Sequence, residues 1–520
     1  MHRLVRFYVQ AKNKYRCILT RQEAVELLDQ NESYLCSLHS MYKPLPIKVS
    51  SARADNTTSD TGCFIKRTQA THSELLHVDS ILGQKNKVWV ETYGCAASKA
   101  DSEMIAGLLK SNGYELAKYE QESSLNIIIT CSVKDATEHK MLHRIGELTK
   151  ARKPVVLAGC LPKADKNMVE RMFPSASLLG PHSIDKTIDI VNSTLAGKKT
   201  VILDDSSRNK INVPRVRLNP IVGIVEIASG CMSECTFCQT KLAKGGIRSY
   251  PAGEILRQIK HDIKDGCKEI WLTSTDNGCY GKDFGSNIVE LLQLCCAIDA
   301  HYKLRLGMMN PMHLNSIVKE LLGVYEHNEK IFKFLHIPVQ SGSDRILRKM
   351  KRGHSVKTYR EIVKTFRSRI PEITIATDII VGFPSETEDD FEKTLQLIKD
   401  TQPDIVNSSK FSARPNTAAA NLKQLRSDII KNRTDKLHLL VKEVSSMRNS
   451  MWVGWRGELL VDEVNSNNVI GRNYAYKSVA LSPLVTSRSD SHQQGKYTLG
   501  TEIEADIYGY SDYSLKGQPV

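Results

Sequence analysis

Cys231-Met-Ser-Glu-Cys235-Thr-Phe-Cys238 places three thiols in one short loop, and few inorganic centres suit that spacing. Three thiolates on a four-iron cube leave one iron corner open to a small chelating ligand. A zinc site would ask for a fourth protein ligand, and neither His nor Cys follows within the next twenty residues. Three unrelated thiols in a turn is the blander reading, and it leaves the whole Cys-x3-Cys-x2-Cys pattern without a cause.

The surroundings constrain the fold further. Residues 221–230 are apolar and run straight into Cys231, as a buried strand would. Apolar strand patterns recur at 269–275, 303–309, 333–339, 374–383 and 405–411, with amphipathic helices near 252–265, 286–298, 315–326, 355–368 and 386–399. Six strand–helix units of this kind predict an α/β fold, a parallel sheet curled into an open barrel with ligands at the carboxyl ends of its strands. Asp276, Asn310 and Gln340 follow successive strands at that rim, where they would orient a ligand or cap the next helix. Asp378 falls inside the fifth strand, where a buried carboxylate needs either a ligand or an internal salt bridge.

A second set of thiols lies upstream. Lys87-Val-Trp-Val-Glu-Thr-Tyr-Gly-Cys95, Leu125-Asn-Ile-Ile-Ile-Thr-Cys131 and Pro154-Val-Val-Leu-Ala-Gly-Cys160 each read as a strand ending in cysteine. Helical segments near 99–112 and 135–150 separate them, as in a small parallel α/β sheet. All three sulfurs would emerge at the carboxyl edge, where such sheets bind ligands. Taken singly, each is more often a small core residue than a ligand. Their repeated placement after a strand favours a second cube with an open iron.

From Trp452 onward the pattern changes to short strands, 457–464, 469–471, 478–481 and 501–507, separated by Asn, Ser and Gly turns. That fits a small antiparallel barrel of oligonucleotide-binding type. Arg472, Tyr474, Tyr476 and Lys477 put aromatics among cations, suited to stacking on unpaired bases, although tyrosines also serve simply to cover a barrel. The formal charge of +14 over 520 residues agrees with a polyanionic partner or with a solvated basic surface. Thirteen cysteines without a signal peptide point to a reducing compartment, and no apolar run approaches the length of a membrane helix.

Several stretches together resemble one family: Glu91-Thr-Tyr-Gly-Cys95, Ala100-Asp-Ser-Glu103, Thr130-Cys-Ser-Val133, Thr137-Glu-His-Lys140, Gly159-Cys160, Arg248-Ser-Tyr250, His336-Ile-Pro-Val-Gln-Ser-Gly342 and Asp378-Ile-Ile-Val-Gly-Phe-Pro384. With the cysteine loop, they resemble the radical S-adenosylmethionine (SAM) methylthiotransferases across residues 87–511. Residues 1–86 lie outside the resemblance and read as a flexible or misassigned leader; the resemblance implies a cluster domain at 87–200, a radical SAM half barrel at 215–445 and a TRAM module at 448–511 that grips tRNA. It implies two [4Fe-4S] clusters on Cys95, Cys131, Cys160 and on Cys231, Cys235, Cys238. SAM would be chelated at the second, with Phe237 beside its adenine or in ordinary core packing. Asp276, Asn310, Gln340 and Asp378 are the other candidate SAM contacts.

Thr137-Glu-His-Lys140 before Met141-Leu-His-Arg144 resembles the archaeal and eukaryotic threonylcarbamoyladenosine branch. That implies a cytoplasmic enzyme that methylthiolates N6-threonylcarbamoyladenosine at position 37, in the anticodon loop of tRNA. One SAM would methylate a sulfur held on the first cluster. A second would yield the radical that takes hydrogen from carbon 2 of the adenine, whose proton no ordinary base removes. A sulfur donor and an electron donor such as ferredoxin or flavodoxin are implied as partners, and no membrane. Isopentenyladenosine in tRNA, an aspartate on a ribosomal protein, and a non-catalytic iron–sulfur RNA-binding protein are the alternatives.

The chain departs from the family where asparagine is usual, at Ala97-Ser98 and Ile129, and carries Met232-Ser233 for Leu-Gly and Lys244 for arginine. None of these removes a thiol. No C-terminal apolar anchor of the kind some animal members carry is expected. Residues 1–22 have Arg and Lys before any acid, faintly like a presequence, and 50–60 read as a polar linker, with a second linker at 197–214. Cys17, Cys36, Cys63, Cys295 and Cys296 show no metal spacing.

Overall fold

The computed structural model describes residues 86–132, 135–205, 210–465, 469–481 and 497–520. The stretches 1–22 and 50–60, with Cys17, Cys36 and Cys63, lie outside the described residues. Among those described, no helix is long and apolar enough to cross a membrane.

Strands β1 (Lys87–Thr92), β2 (Glu115–Leu116), β3 (Leu125–Thr130), β4 (Val155–Gly159), β5 (Ser177–Leu179) and β6 (Val201–Ile202) form one parallel sheet, in the order β2-β1-β3-β4-β5-β6. The three strands expected to end in cysteine are therefore neighbours. β3 and β4 are buried along their whole length, which is why they are apolar without alternation. Ile127 and Ile129 pack with Val88, Met104 and Leu109 on one face, while Ile128 packs with Met141, Ile145 and Leu157 on the other.

The helix Ala96–Ser111 covers the first face and receives the connection to the next sheet. At Gly107 a Cβ would come within 2.1 Å of the Pro214 carbonyl oxygen, so only glycine admits the chain there. The Val216 N–H donates to the Glu103 carbonyl at 2.9 Å, and Ile221, Val222 and Ile224 enter the same core. The end of the expected linker, at Lys210 and Pro214, thus lies against this helix.

The half barrel follows. β7 (Val222–Glu226) leads into a short antiparallel pair, β8 (Ala228–Ser229) and β9 (Arg248–Ser249). β10 (Glu269–Thr273) and β11 (Lys303–Leu306) complete a parallel sheet in the order β11-β10-β7. β12 (Phe334–His336), β13 (Thr374–Val381) and β14 (Ile405–Lys410) form another, and a parallel bridge between Leu304 and Ile331 continues the curve between them. The intervening helices bury one stripe each; Ile255 and Ile259 do so from Ala252–Lys264, and a Thr387–Asp390 capping box starts Glu388–Thr401.

β15 (Arg456–Val464), β16 (Val469–Arg472), β17 (Ser478–Leu481), β18 (Glu502–Tyr510) and β19 (Leu515–Pro519) close a small barrel in the order β15-β16-β17-β19-β18. Its seams are antiparallel except β17–β19, which is parallel. The closing strand lies beyond residue 511, the expected end of the module. Only Leu515 and Gly517 of it turn inward, too few to register as an apolar run.

Glu103 is a buried carboxylate at the junction of the first two sheets, where it accepts from the Leu218 N–H at 3.1 Å. Burial pushes its carboxyl up to about 7, against the Leu218 hydrogen bond, Arg215 and Arg217. At low pH the group is neutral in folded and unfolded chains alike. As pH rises through about 7 the folded chain must accept a buried charge, and stability is lost. Glu103→Gln keeps the acceptor but cannot ionise. Urea unfolding at pH 5 and pH 8 should show the variant gaining about 2–3 kcal/mol on the wild type between the two pH values; parallel pH profiles would refute this account.

Candidate active site: two groups of three cysteines

The β8–β9 pair forms the neck of the first cysteine loop. Gly230 sits there at φ +77, with space for a Cβ blocked by the Gly246 carbonyl at 2.0 Å, and the Cys231 N–H donates to the Gly245 carbonyl at 3.2 Å. Farther along, the Thr236 N–H donates to the Met350 carbonyl at 3.1 Å, and Thr236 accepts from the Ala419 N–H at 2.9 Å. The loop is therefore held at its neck and at its tip.

Hydrogen-bond donors point at its sulfurs. The Ser233 N–H approaches Cys231 Sγ at 3.3 Å, and Arg352 Nη1 approaches Cys235 Sγ at 3.3 Å. A bond with Cys279 holds the Cys231 thiol down to about 7, while burial raises that of Cys238. Donors aimed at sulfur suit thiolates. Among the described residues, the group close enough to share one ion is Cys231, Asp276 and Cys279, and neither cysteine triad closes to that spacing. Thiols on separate corners of a cube fit this arrangement better than thiols around a single zinc ion.

The rim residues divide into two kinds. Asp276, 2% exposed, accepts from the Gly278 and Asn310 N–H groups at 3.0 and 3.1 Å, so it caps the turn after β10. Asn310 caps the turn after β11 and donates to Ser233 Oγ at 3.4 Å; His313 Nε2 lies 3.2 Å from the same oxygen. These residues form a buried support behind the cysteine loop. The sequence did not single out His313 or Cys279, and marked Ser233 only as a departure from the family pattern. Gln340 is buried at φ +74, its backbone bonded to Asp378 and Ile380 across β13. Asp378 keeps a partly open side chain between His336 Nε2 at 3.1 Å and Asn407 Nδ2 at 2.9 Å. Phe237 packs against the apolar group of Ile346, Met350, Phe383 and Ala419.

The second triad sits at the carboxyl edge of the first sheet. Cys95 precedes the helix Ala96–Ser111, Cys131 follows β3, and Cys160 opens the short helix Cys160–Ala164 after β4. At Gly94, φ +123, a Cβ would lie 2.9 Å from Cys131 Cβ and 2.7 Å from Ser98 Oγ. The bare glycine leaves room beside Cys131 and Ser98. Burial pushes the Cys160 thiol up to about 12, against the pull of Lys244 and with Cys95 and Cys131 adding to it. A metal-bound thiolate reverses that preference, because the metal supplies the missing charge.

A buried set of charges joins the two triads. Lys244, at the end of the helix Thr240–Lys244, meets Glu226 at 2.9 Å; Lys210 meets Glu226 at 3.2 Å and Asp101 at 2.6 Å. All four side chains are at most 4% exposed. Despite burial, Glu226 and Asp101 keep the Lys244 ammonium charged, and Cys160 and Cys95 lie within its field. Ala243 packs on Cys160 and Ala164, so the helix after one cysteine loop touches the helix that starts at the other.

Of the four residues expected to contact RNA, Tyr476 and Lys477 are buried, while Arg472 and Tyr474 are half-buried. Lys477 is buried, donating to Asp404 at 2.9 Å and Asn449 at 3.0 Å. Asp404 also meets Arg448 and Arg367, both at 3.1 Å, in the seam between the half barrel and the small barrel. Tyr476 is 9% exposed and packs on Phe332 and Phe334. Arg472 pairs with Asp462 at 2.7 Å over the Tyr476 ring, and the Tyr474 hydroxyl bonds Glu372 beside Trp452 and Trp455. Cations interleaved with aromatics here seal an internal joint; their sequence pattern cannot be told from that of an RNA-facing strip.

Comparison with known proteins gives a consistent picture. Residues 225–398 match the radical SAM superfamily, and residues 87–180 match the uncharacterized protein family UPF0004. A probable threonylcarbamoyladenosine tRNA methylthiotransferase of Pyrococcus horikoshii is 40% identical over 399 residues, 76% of this chain and 93% of that protein. One from Archaeoglobus fulgidus is 42% identical over 394 residues, covering 75% and 90%. The threonylcarbamoyladenosine tRNA methylthiotransferase of Homo sapiens is 33% identical over 452 residues, covering 85% and 75%.

Gly94 offers a test of the second triad. Gly94→Ala would drive a methyl group into Cys131 and Ser98 at a backbone angle that alanine resists. Iron bound after anaerobic reconstitution should fall from about eight to about four per chain. Retention of the full complement would show that these thiols do not share a centre.

Proposed function

The chain belongs to the threonylcarbamoyladenosine tRNA methylthiotransferase family, and on that premise we propose how its residues carry the addition of a 2-methylthio group to N6-threonylcarbamoyladenosine in tRNA. It is a radical SAM enzyme that uses SAM and iron–sulfur clusters. When bound, these groups supply the electron, the hydrogen-abstracting radical and the sulfur, chemistry that no side chain provides.

The observation that carries this reading is the second group of thiols. Cys231, Cys235 and Cys238 suffice for SAM cleavage. Cys95, Cys131 and Cys160, at the edge of a separate parallel sheet, suit a second centre whose open iron holds the sulfur to be transferred. Packing of Ala243 against Cys160 supports a short path between the two.

The protein's own work is placement. Asp276, Asn310, Ser233 and His313 hold the SAM-side loop from behind. Gln340 and Asp378 sit at the rim, and the partly open Asp378 carboxylate, fixed by His336 and Asn407, is suited to a ribose hydroxyl or an amine. Phe237 contributes an apolar wall. Lys244 puts positive charge beside the sulfur-carrying triad, where it would stabilise an anionic sulfur. An anticodon-loop base leaves its stack at lower cost than a paired one, which suits delivery of an adenine edge into this site.

For RNA contact, exposed Tyr510 and Tyr513 on the small barrel suit base stacking better than the buried Tyr476. A ferredoxin or flavodoxin as electron source, a separate sulfur donor, and a reducing cytoplasm complete the reading.

Mass spectrometry of tRNA nucleosides from cells with and without the gene should show loss of the 2-methylthio form of threonylcarbamoyladenosine. In purified enzyme, Cys235→Ala should abolish both SAM cleavage and product, whereas Cys131→Ala should abolish product and leave 5′-deoxyadenosine formation. Product appearing only on isopentenyladenosine or on a ribosomal protein would reassign the substrate.

A further inference from the structure

Arg352 is buried to 6% exposure, yet among the described residues no carboxylate forms a salt bridge with it. Its Nη2 donates to the Pro338 carbonyl at 2.9 Å, its Nη1 points at Cys235 Sγ at 3.3 Å, and its Nε has no hydrogen-bond partner. Its backbone is fixed by donation to the Leu347 carbonyl at 3.0 Å. A guanidinium does not give up its proton, and burying one without a counter-charge costs several kcal/mol. The other buried arginines treated above, such as Arg448 against Asp404, do have a carboxylate. For Arg352, the nearest group able to become anionic is the Cys235 sulfur.

We infer that Arg352 is a positioning residue for the SAM-binding cluster: it donates to the Cys235 thiolate and sets the reduction potential of that cluster. The inference rests on the proposed assignment of Cys231, Cys235 and Cys238 as its ligands. Coordinated thiolates give the buried cation the negative partner it lacks. Reduction adds an electron to the cluster, so a fixed positive charge and an N–H···S bond stabilise the reduced state more than the oxidised one. Beside the second triad the neighbouring cation is Lys244, already shared with Glu226. Arg352 therefore favours electron arrival at the centre that must cleave SAM.

The test is a potentiometric titration of the full chain, anaerobically reconstituted, followed by electron paramagnetic resonance. The signal that changes on adding SAM identifies the relevant cluster. In Arg352→Met the midpoint of that cluster should become more negative, reducing about tenfold less of it at equilibrium, which is about 59 mV for one electron. The other cluster's midpoint should not move. Arg352→Lys, which keeps the charge but loses the fork, should shift in the same direction by less, and it serves if the Met variant fails to take up iron. Iron-loaded variants with the wild-type midpoint would overturn the inference, as would an equal shift in both clusters, the mark of a general structural defect. Absence of any SAM-sensitive signal in the wild type would instead overturn the ligand assignment.

Discussion

Asp101, Lys210, Glu226 and Lys244 meet away from water where the cysteine-bearing sheet abuts the half barrel. They come from four places: the first helix, the connecting segment, the end of β7, and the helix after the SAM-side loop. A single one of them would be prohibitive to bury, and even a lone pair often fails to repay its desolvation. Two acids and two bases cancel only when all four segments are in register. Charge neutrality and the proximity of the two thiol groups therefore impose the same geometry, and the rest of the active site inherits its alignment from that requirement.

The loops that carry the thiols are correspondingly stiff. Gly230 closes one neck against Gly246, and Gly94 clears the space beside Cys131. In each case, the missing side chain is what lets backbone and sulfur approach. Behind the Cys231 loop, Asp276, Asn310, Ser233 and His313 are hydrogen-bonded in a buried chain, with Lys282 on the far side of His313. Such paired polar groups hold a loop in one conformation more firmly than apolar contact alone.

The strands, and the placement of cysteines just after them, were legible because period and position in sequence are local signals. Ile127, Ile128 and Ile129 announce a strand covered on both faces, and a cysteine directly after such a strand has only the sheet's edge to occupy. Asp276 and Asn310 stand at the rim and cap the turns there, the alternative their sequence positions also allowed, since a capping residue and a ligand-orienting one occupy the same place. Arg352, His313 and Cys279 stayed hidden because each meets its sulfur or hydroxyl partner across tens of residues. Lys477 illustrates the opposite error. Its neighbours in sequence suggest an RNA strip, while Asp404, remote in sequence, turns it inward.

The first sheet does not own its core. Ile221, Val222 and Ile224 of the half barrel fill the same apolar layer as Val88, Met104 and Ile127, and Gly107 leaves the connecting chain no other path. A gene trimmed between the two would encode a fragment with an oily flank, prone to clumping. The first sheet and the half barrel must then be inherited as one piece, and recombination cannot readily reshuffle them as separable cassettes.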